Sequence, residues 1–140
     1  MQLAIRMRVC LVVVEQGRIL LVPHFQTDVG PVQWKVPGGK VEFGESLKAA
    51  VVREFYEETG LKAEVTGLQD VSEEISPERP YHSVTIAFTG RVIGGDLRPE
   101  ADHPYGVKMP RWFSAAEVSR VKYHPEQTVA RALGFITGES

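Results

Sequence analysis

The chain has 140 residues, with 16 Lys and Arg against 18 Asp and Glu, giving a formal net charge of −2. This balance argues against bulk electrostatic binding of nucleic acid or of an anionic membrane. A hydrophobic content of 43% is ordinary for a globular protein, and the length predicts a single domain over residues 1–140. The longest wholly apolar run, Val9 to Val14, is too short for a membrane span or a signal peptide core.

The first third of the chain predicts β-structure. Met7 to Val14 and Ile19 to Val22 are apolar and rich in β-branched residues, and Gln16-Gly17 between them suits a tight hairpin turn. Both runs are continuously apolar, which is typical of strands covered on both faces. The single cysteine, Cys10, lies in the first run, so we expect a small buried hydrophobe and a reducing, cytoplasmic location.

The segment from His24 to Val32 is polar, contains Pro and Gly, and is predicted to be a loop. It is either a plain connector or a wall of a binding site, with Phe25 available to stack on a base. Trp34 to Val36 predicts a short strand that leads into Pro37-Gly38-Gly39. Lys40 to Phe43 is expected to pair back as another short strand.

A helix is predicted from Leu47 to Thr59. Ser46 can cap its N-terminus, and Gly60 stands where a left-handed residue ends a helix. One helical stripe carries the apolar core residues and then continues into acidic ones. The apolar part is Leu47, Ala50 and Val51, and the acidic part is Glu54, Glu57 and Glu58.

The three glutamates are spaced i, i+3 and i+4, so their carboxylates converge on one patch. Like charges at this spacing cost a few tenths of a kcal/mol per pair, and more where they are desolvated. A retained proton or a hard divalent cation would relieve them. An ordinary solvated acidic helix end is the alternative.

After the helix, Lys62 to Gly67 and Leu68 to Ile75 predict two strands, and Ser76 to Pro80 a turn. Tyr81 to Val92 alternates with period 2, as a half-buried strand does. Asp96 to Pro110 is a long polar loop of the kind that carries function.

The C-terminal part predicts a return to the core and two helices. Trp112-Phe113 is apolar, Ser114 can cap a short helical turn, and Pro125 stands at the first position of a last helix that ends near Leu133. We expect that helix to cover the second face of the sheet with Val129, Ala132 and Leu133 turned inward.

The stretch Gly39 to Leu61 resembles the Nudix box of the Nudix hydrolase family, without departure at any defined position. The matching residues are Gly39, Glu45, Arg53, Glu54, Phe55, Glu57, Glu58, Gly60 and Leu61. The resemblance implies a Nudix-type α/β/α sandwich with a mixed central sheet. It also implies a loop-helix-loop that holds divalent cations and hydrolyses a diphosphate linkage attached to a nucleoside.

Site residues follow from the same resemblance. The backbone carbonyl of Gly39 and the carboxylates of Glu54, Glu57 and Glu58 are the expected ligands of Mg²⁺, for which Mn²⁺ can substitute. Glu54 or Glu57 doubles as the general base. Arg53 is expected to form a fork that pairs with Glu45, with a solvated Arg on a helix as the alternative.

Many relatives supply a further carboxylate from the loop before the last strand. Where it is often found, about three residues before Trp112, this chain has Lys108 and Met109. Glu100 and Asp102 are the remaining candidates. Positive charge for the substrate phosphates could come from Arg79, Arg98, Lys108 or Arg111.

The resemblance indicates the reaction and leaves the substrate open between nucleoside triphosphates and ADP-ribose-like nucleotide sugars. Pro77 lies 16 residues beyond Leu61, a distance that accompanies ADP-ribose hydrolysis in the family, but it is also an ordinary turn proline. The compact size looks more like the triphosphate branch. The expected partner is a small-molecule nucleotide, with neither membrane nor bulk nucleic-acid binding, and a homodimer stays open.

Two other readings use the same fold. A non-catalytic nucleotide-binding Nudix module usually loses the box carboxylates or the arginine, and this chain keeps both. A prenyl diphosphate isomerase needs a placed catalytic cysteine, whereas Cys10 lies in the first core strand.

Overall fold

The computed structural model describes residues 3–27, 30–100 and 106–135. In that part of the chain two β-sheets pack with three helices. The strands are β1 Arg6–Val12, β2 Val14–Glu15, β3 Arg18–Thr27, β4 Gly30–Lys35, β5 Gly38–Lys40, β6 Leu61–Ser76, β7 Tyr81–Gly95, β8 Arg111–Phe113 and β9 Tyr123–His124. The helices are α1 Leu47–Thr59, α2 Ala115–Val118 and α3 Glu126–Leu133. None of these helices is long and apolar enough to cross a membrane.

The two apolar runs at the start of the chain form strands of different sheets, β1 in one and β3 in the other. One sheet has the order β5-β1-β7-β6, and the other has β2-β3-β4-β9 with β8 also paired to β3. β1 runs parallel to β7 and antiparallel to β5, so the prediction of a mixed sheet is confirmed. The turn between β2 and β3 has positive φ at both Gln16 (53°) and Gly17 (75°), as a tight hairpin of this twist requires.

The extent of several strands differs from the prediction. The segment His24 to Val32 is not a loop, because β3 runs to Thr27 and β4 begins at Gly30, with irregular register around Phe25. The two predicted strands after the helix are one long strand, β6, again with register shifts.

The predicted strand Lys40 to Phe43 is instead β5, Gly38–Lys40, which pairs with β1. A Cβ on Gly38 would lie 2.0 Å from the carbonyl oxygen of Val9. The close pairing therefore forms at the diglycine, where no side chain intervenes.

Helix α1 begins and ends as its sequence predicts. The Ser46 side chain accepts a hydrogen bond from the Ala49 N–H, and Gly60 has a left-handed φ of 80°. Ala50 and Val51 are completely buried, while Leu47 is only partly buried.

Strand β1 contributes to two hydrophobic cores, since successive side chains point to opposite faces. Val9 and Leu11, together with Val13 directly after the strand, pack with α1 in the first core. Cys10 and Val12 face the second core, which lies between the sheets and is covered by α3. Burial raises the pKa of the Cys10 thiol to about 12, so this cysteine is a buried hydrophobe, as predicted.

The C-terminal helices follow their predicted signals with one small shift. Ser114 and Glu117 form a capping box at α2. Pro125 is the N-cap of α3 and not its first helical residue. Val129 is completely buried, and Ala132 and Leu133 are partly buried against the second core.

We expect Val51→Ala to lower the free energy of unfolding by about 1–3 kcal/mol, because it leaves a cavity in the first core. Lys48→Ala, on the exposed side of the same helix, is the matched control and should change stability by less than about 0.5 kcal/mol. Urea unfolding curves of the three proteins measure both effects. Equal stability of Val51→Ala and the wild type would contradict the packing described here.

Candidate metal and catalytic site

Two glutamates of α1 lie against the diglycine of β5. The Gly38 N–H donates to Oε1 of Glu58 at 3.0 Å. A Cβ placed on Gly39 would lie 2.4 Å from Cδ of Glu54, so only glycine leaves room for that carboxylate. Helix α1 therefore packs against the diglycine through both glutamates, so that the carboxylates of Glu54 and Glu58 lie at neighbouring residues of β5.

This place is unfavourable for negative charge. The pKa of Glu58 is raised to about 8, mainly by burial and also by the nearby charges of Glu100 and Glu54, against the lowering effect of the Gly38 N–H. Burial also raises the pKa of Glu54, against the lowering effect of Arg53. The two carboxylates lie where an added cation would be stabilised.

The Glu57 side chain is oriented towards Arg53. Its side chain is 52% exposed and its nearest basic partner is Nη1 of Arg53, at 3.4 Å. Among the described residues, no three Asp, Glu, His or Cys side chains are arranged to hold one ion together. Sharing an ion with Glu54 and Glu58 would require Glu57 to rotate away from Arg53.

The donors offered at this site suit a hard divalent cation. Carboxylate oxygens of Glu54 and Glu58 lie at the diglycine, and these two side chains offer neither nitrogen nor sulfur. Oxygen donors of this kind favour Mg²⁺, Mn²⁺ or Ca²⁺ over softer metals.

Arg53 forms the expected fork with Glu45. Its Nε lies 2.7 Å from Oε2 of Glu45, and its Nη2 lies 2.9 Å from Oε1. Nη1 lies 3.2 Å from Oε2 of Glu54. The hydrogen bonds from Arg53 are the main reason why the pKa of Glu45 is lowered to about 2.

Of the remaining predicted site residues, one lies near the acidic cluster and another does not. Glu100 forms an ion pair with Lys108 at 2.9 Å, and its charge acts on Glu58, so a loop carboxylate lies near the cluster. Asp102, the other candidate, lies outside the described residues. Phe25 packs toward Gly106, where an added Cβ would lie 3.0 Å from its ring, and it does not line the cleft described below.

The arginines considered as phosphate ligands have other contacts. Arg98 donates to the backbone carbonyl of Tyr56 at 3.3 Å and lies over its ring, so it stabilises the end of α1. Arg111 lies over the rings of Trp34 and Phe113. Arg79 pairs with Glu74 at 3.5 Å and lies over the ring of Tyr81.

A cleft between the two sheets adds residues that the sequence analysis missed. A polar cavity of about 160 Å³ beside Gly38 is lined by Arg8, Lys35 and Glu74 among others. It adjoins a wider cavity of about 770 Å³ along α3. The alternation of Arg8 with Cys10 was the available signal, because it places Arg8 on the inner face of β1.

The comparison with known protein families agrees with this geometry. The NUDIX domain family matches residues 4–133, and the chain therefore belongs to the Nudix family. The crystal structure of a MutT NUDIX hydrolase from Burkholderia pseudomallei aligns with a TM-score of 0.75 at 27% identity, covering 96% of this chain and 99% of that one.

Curated relatives include two differently named pyrophosphate hydrolases. An RNA pyrophosphohydrolase from Brucella anthropi is 36% identical over 78 residues, covering 56% of this chain and 44% of that protein. An ADP-ribose pyrophosphatase from Methanocaldococcus jannaschii is 34% identical over 94 residues, covering 67% of this chain and 53% of the relative. The matches thus span about half the length of these relatives.

We expect Glu45→Gln to weaken both stability and activity, because it removes the anion that holds the Arg53 fork. The pKa of Glu45 is lowered from 4.5 to about 2 in the folded state. Its stabilising contribution is therefore complete above pH 4.5 and is lost as the pH falls through about 2. The melting temperature of the variant should lie below that of the wild type at pH 6, and the gap should close towards pH 2.

Activity of Glu45→Gln should fall about 10–100-fold, as is typical when a residue that orients metal ligands is lost. Glu42→Gln is the matched control, since Glu42 is exposed and three residues away. Thermal melts across pH and a hydrolysis rate for each protein test both effects. An equal loss in both variants would show that overall charge, and not the fork, is responsible.

Proposed function

We propose that this protein hydrolyses a diphosphate linkage in a nucleotide with the help of a divalent cation, Mg²⁺ or Mn²⁺. The observation that carries the proposal is the burial of Glu58 against the Gly38 N–H, beside Glu54 at Gly39. Both carboxylates are partly buried, and Glu58 forms no ion pair among the described residues, which is costly in an empty site and useful in a metal-loaded one.

The roles of the residues follow from their positions. Glu54, Glu57 and Glu58, with the carbonyl of Gly39, would hold the cation, which neutralises phosphate oxygens and helps to activate water. Arg53, anchored by Glu45, would keep Glu54 oriented when Glu57 turns towards the ion. Glu54 or Glu57 would accept the proton of the attacking water.

The substrate is proposed to be a small nucleotide. The named activities of the relatives, on RNA and on ADP-ribose, both support a pyrophosphate linkage as the target. The net charge of −2 disfavours an extended contact with RNA. This leaves a nucleoside triphosphate or an ADP-ribose-like nucleotide sugar, and the cleft between the sheets is wide enough for either.

A nucleotide-binding module without catalysis is the second candidate in principle. The complete acidic set and the intact Arg53 fork speak against it, because binding alone would not require the carboxylates to be gathered at the diglycine. We also propose a cytoplasmic location, in keeping with the single buried thiol.

A substrate panel with Mg²⁺ or Mn²⁺ tests the proposed reaction. Phosphate release after a coupled phosphatase would be followed for nucleoside triphosphates and for ADP-ribose. We expect turnover to vanish when the metal is removed and to return when Mg²⁺ is added back. Full turnover in excess chelator would contradict the metal role, and binding without turnover of any nucleotide would support the non-catalytic module.

Glu58→Gln should lower turnover by orders of magnitude, because a neutral amide is a much poorer ligand for Mg²⁺ than a carboxylate. The amide oxygen can still accept the Gly38 N–H, and it removes a charge that burial disfavours. Melting of the metal-free variant should therefore occur no lower than that of the wild type. Glu15→Gln in the exposed hairpin is the control for charge and should retain both rate and stability.

A further inference from the structure

The polar cavity beside Gly38 is lined by two basic residues that form no ion pair with any residue the structure describes. Arg8 and Lys35 both line it and both are half-buried. Within the described part of the chain, the ion pairs formed by basic side chains include neither of them. Placing two cations on one cavity, partly out of water and with neither in an ion pair, is unfavourable.

The surroundings show that the two cations act on each other. Burial lowers the pKa of Lys35, and the charge of Arg8 lowers it further. Glu74 is the one carboxylate among the described residues of this lining, and it lies 3.5 Å from Nη2 of Arg79. The cavity therefore retains an excess of positive charge.

Two hydroxyl groups at the cavity can donate hydrogen bonds. Ser83 and Thr85 of β7 present hydroxyl groups on the same wall, and Ser83 is only 3% exposed. A volume of about 160 Å³ is small for a nucleoside but sufficient for one or two phosphate groups. Tetrahedral oxyanions are the ligands that such a mixture of cations and hydroxyls binds well.

The cavity also adjoins the proposed catalytic cluster. Gly38 is part of its lining and donates its N–H to Glu58. The charge of Arg8 acts on Glu54, and the charge of Glu58 acts on Lys35. An anion held in the cavity would thus belong to a molecule that can reach the carboxylates.

We propose that this cavity binds a phosphate group of the nucleotide substrate, with the Arg8 guanidinium and the Lys35 ammonium as its ligands. The identity of the anion as part of the substrate rests on the proposed hydrolase function, whereas anion binding itself does not. The site gives a reason for preferring polyphosphate substrates over nucleotides with fewer charges.

Binding of inorganic pyrophosphate to the metal-free protein tests the cavity separately from the metal cluster. Without metal, the acidic cluster repels an anion, so calorimetry on protein stripped over a chelating resin reports on Arg8 and Lys35. We expect the wild type to bind, and Arg8→Gln and Lys35→Gln each to bind about 10–100-fold more weakly, as for a lost hydrogen bond to a charged group. Lys35→Arg should retain most of the affinity.

Lys62→Gln is the matched control, because Lys62 is exposed on β6 and does not line the cavity. It removes the same charge and should leave pyrophosphate binding unchanged. In the presence of Mg²⁺, Arg8→Gln and Lys35→Gln should raise KM for the best substrate by a similar factor with little change in kcat, which is the signature of lost ground-state binding. Thermal melts of all variants identify any that fail to fold.

Unchanged pyrophosphate affinity and KM in both folded variants would overturn the inference and leave the hydrolase proposal standing. Loss of turnover at unchanged KM would also overturn it, because the two residues would then act on the chemical step. If an uncharged nucleoside binds the wild type and both variants lose that binding, the cavity takes a base and not a phosphate. If no nucleotide is hydrolysed while pyrophosphate binding still depends on Arg8 and Lys35, the reaction proposal fails and the anion site remains.

Discussion

The hydrogen bond from the Gly38 N–H to the Glu58 carboxylate is the contact on which the rest of the site depends. It joins the last turn of α1 to β5, and through β5 to the central strand β1. The approach is possible only because Gly38 and Gly39 carry no side chains: one Cβ would meet the Val9 backbone, and the other would meet Glu54. A buried carboxylate needs such a donor, since burial without one disfavours its charged form. The same contact therefore fixes both the position of the helix and the position of the acidic groups.

Charge is distributed unevenly around this contact. A single guanidinium, that of Arg53, reaches Glu45, Glu54 and Glu57, together with the Lys40 carbonyl. Exposed ion pairs are usually worth little, but a planar fork held by two bonds to one carboxylate is geometrically restrained. Glu58 has no such partner among the described residues, and the negative charges of Glu100 and Glu54 act on it more strongly than the positive charge of Lys108. The need for outside positive charge is greatest at the innermost carboxylate, where a cation would be best shielded from water.

Strand β1 connects this acidic region to the cleft on the other side of the sheet. Its outward residues, such as Leu11, pack under α1, whereas Cys10 and Val12 face the core beneath α3. Arg8 lies on the same face of β1 as Cys10 and Val12, where the strand borders the polar cavity and not the packed core. The same strand thus supports the carboxylates from one face and lines the cavity with the other, so that the proposed phosphate site and the proposed metal site share one support.

The sequence alone determined the features that depend on near neighbours. Ser46, Gly60 and the Gln16-Gly17 turn lie within a few residues of the groups they act on, so φ/ψ preference and helical spacing suffice to predict them. The pairing of Arg53 with Glu45, eight residues apart, was expected from the resemblance to the Nudix box. The tertiary structure decided the division of the strands between two sheets, the irregular pairing of β3 with β4, and the placement of Arg8 and Lys35 on one cavity. The physical reason is that strand partners and register are chosen by packing between distant segments, which local propensity does not encode.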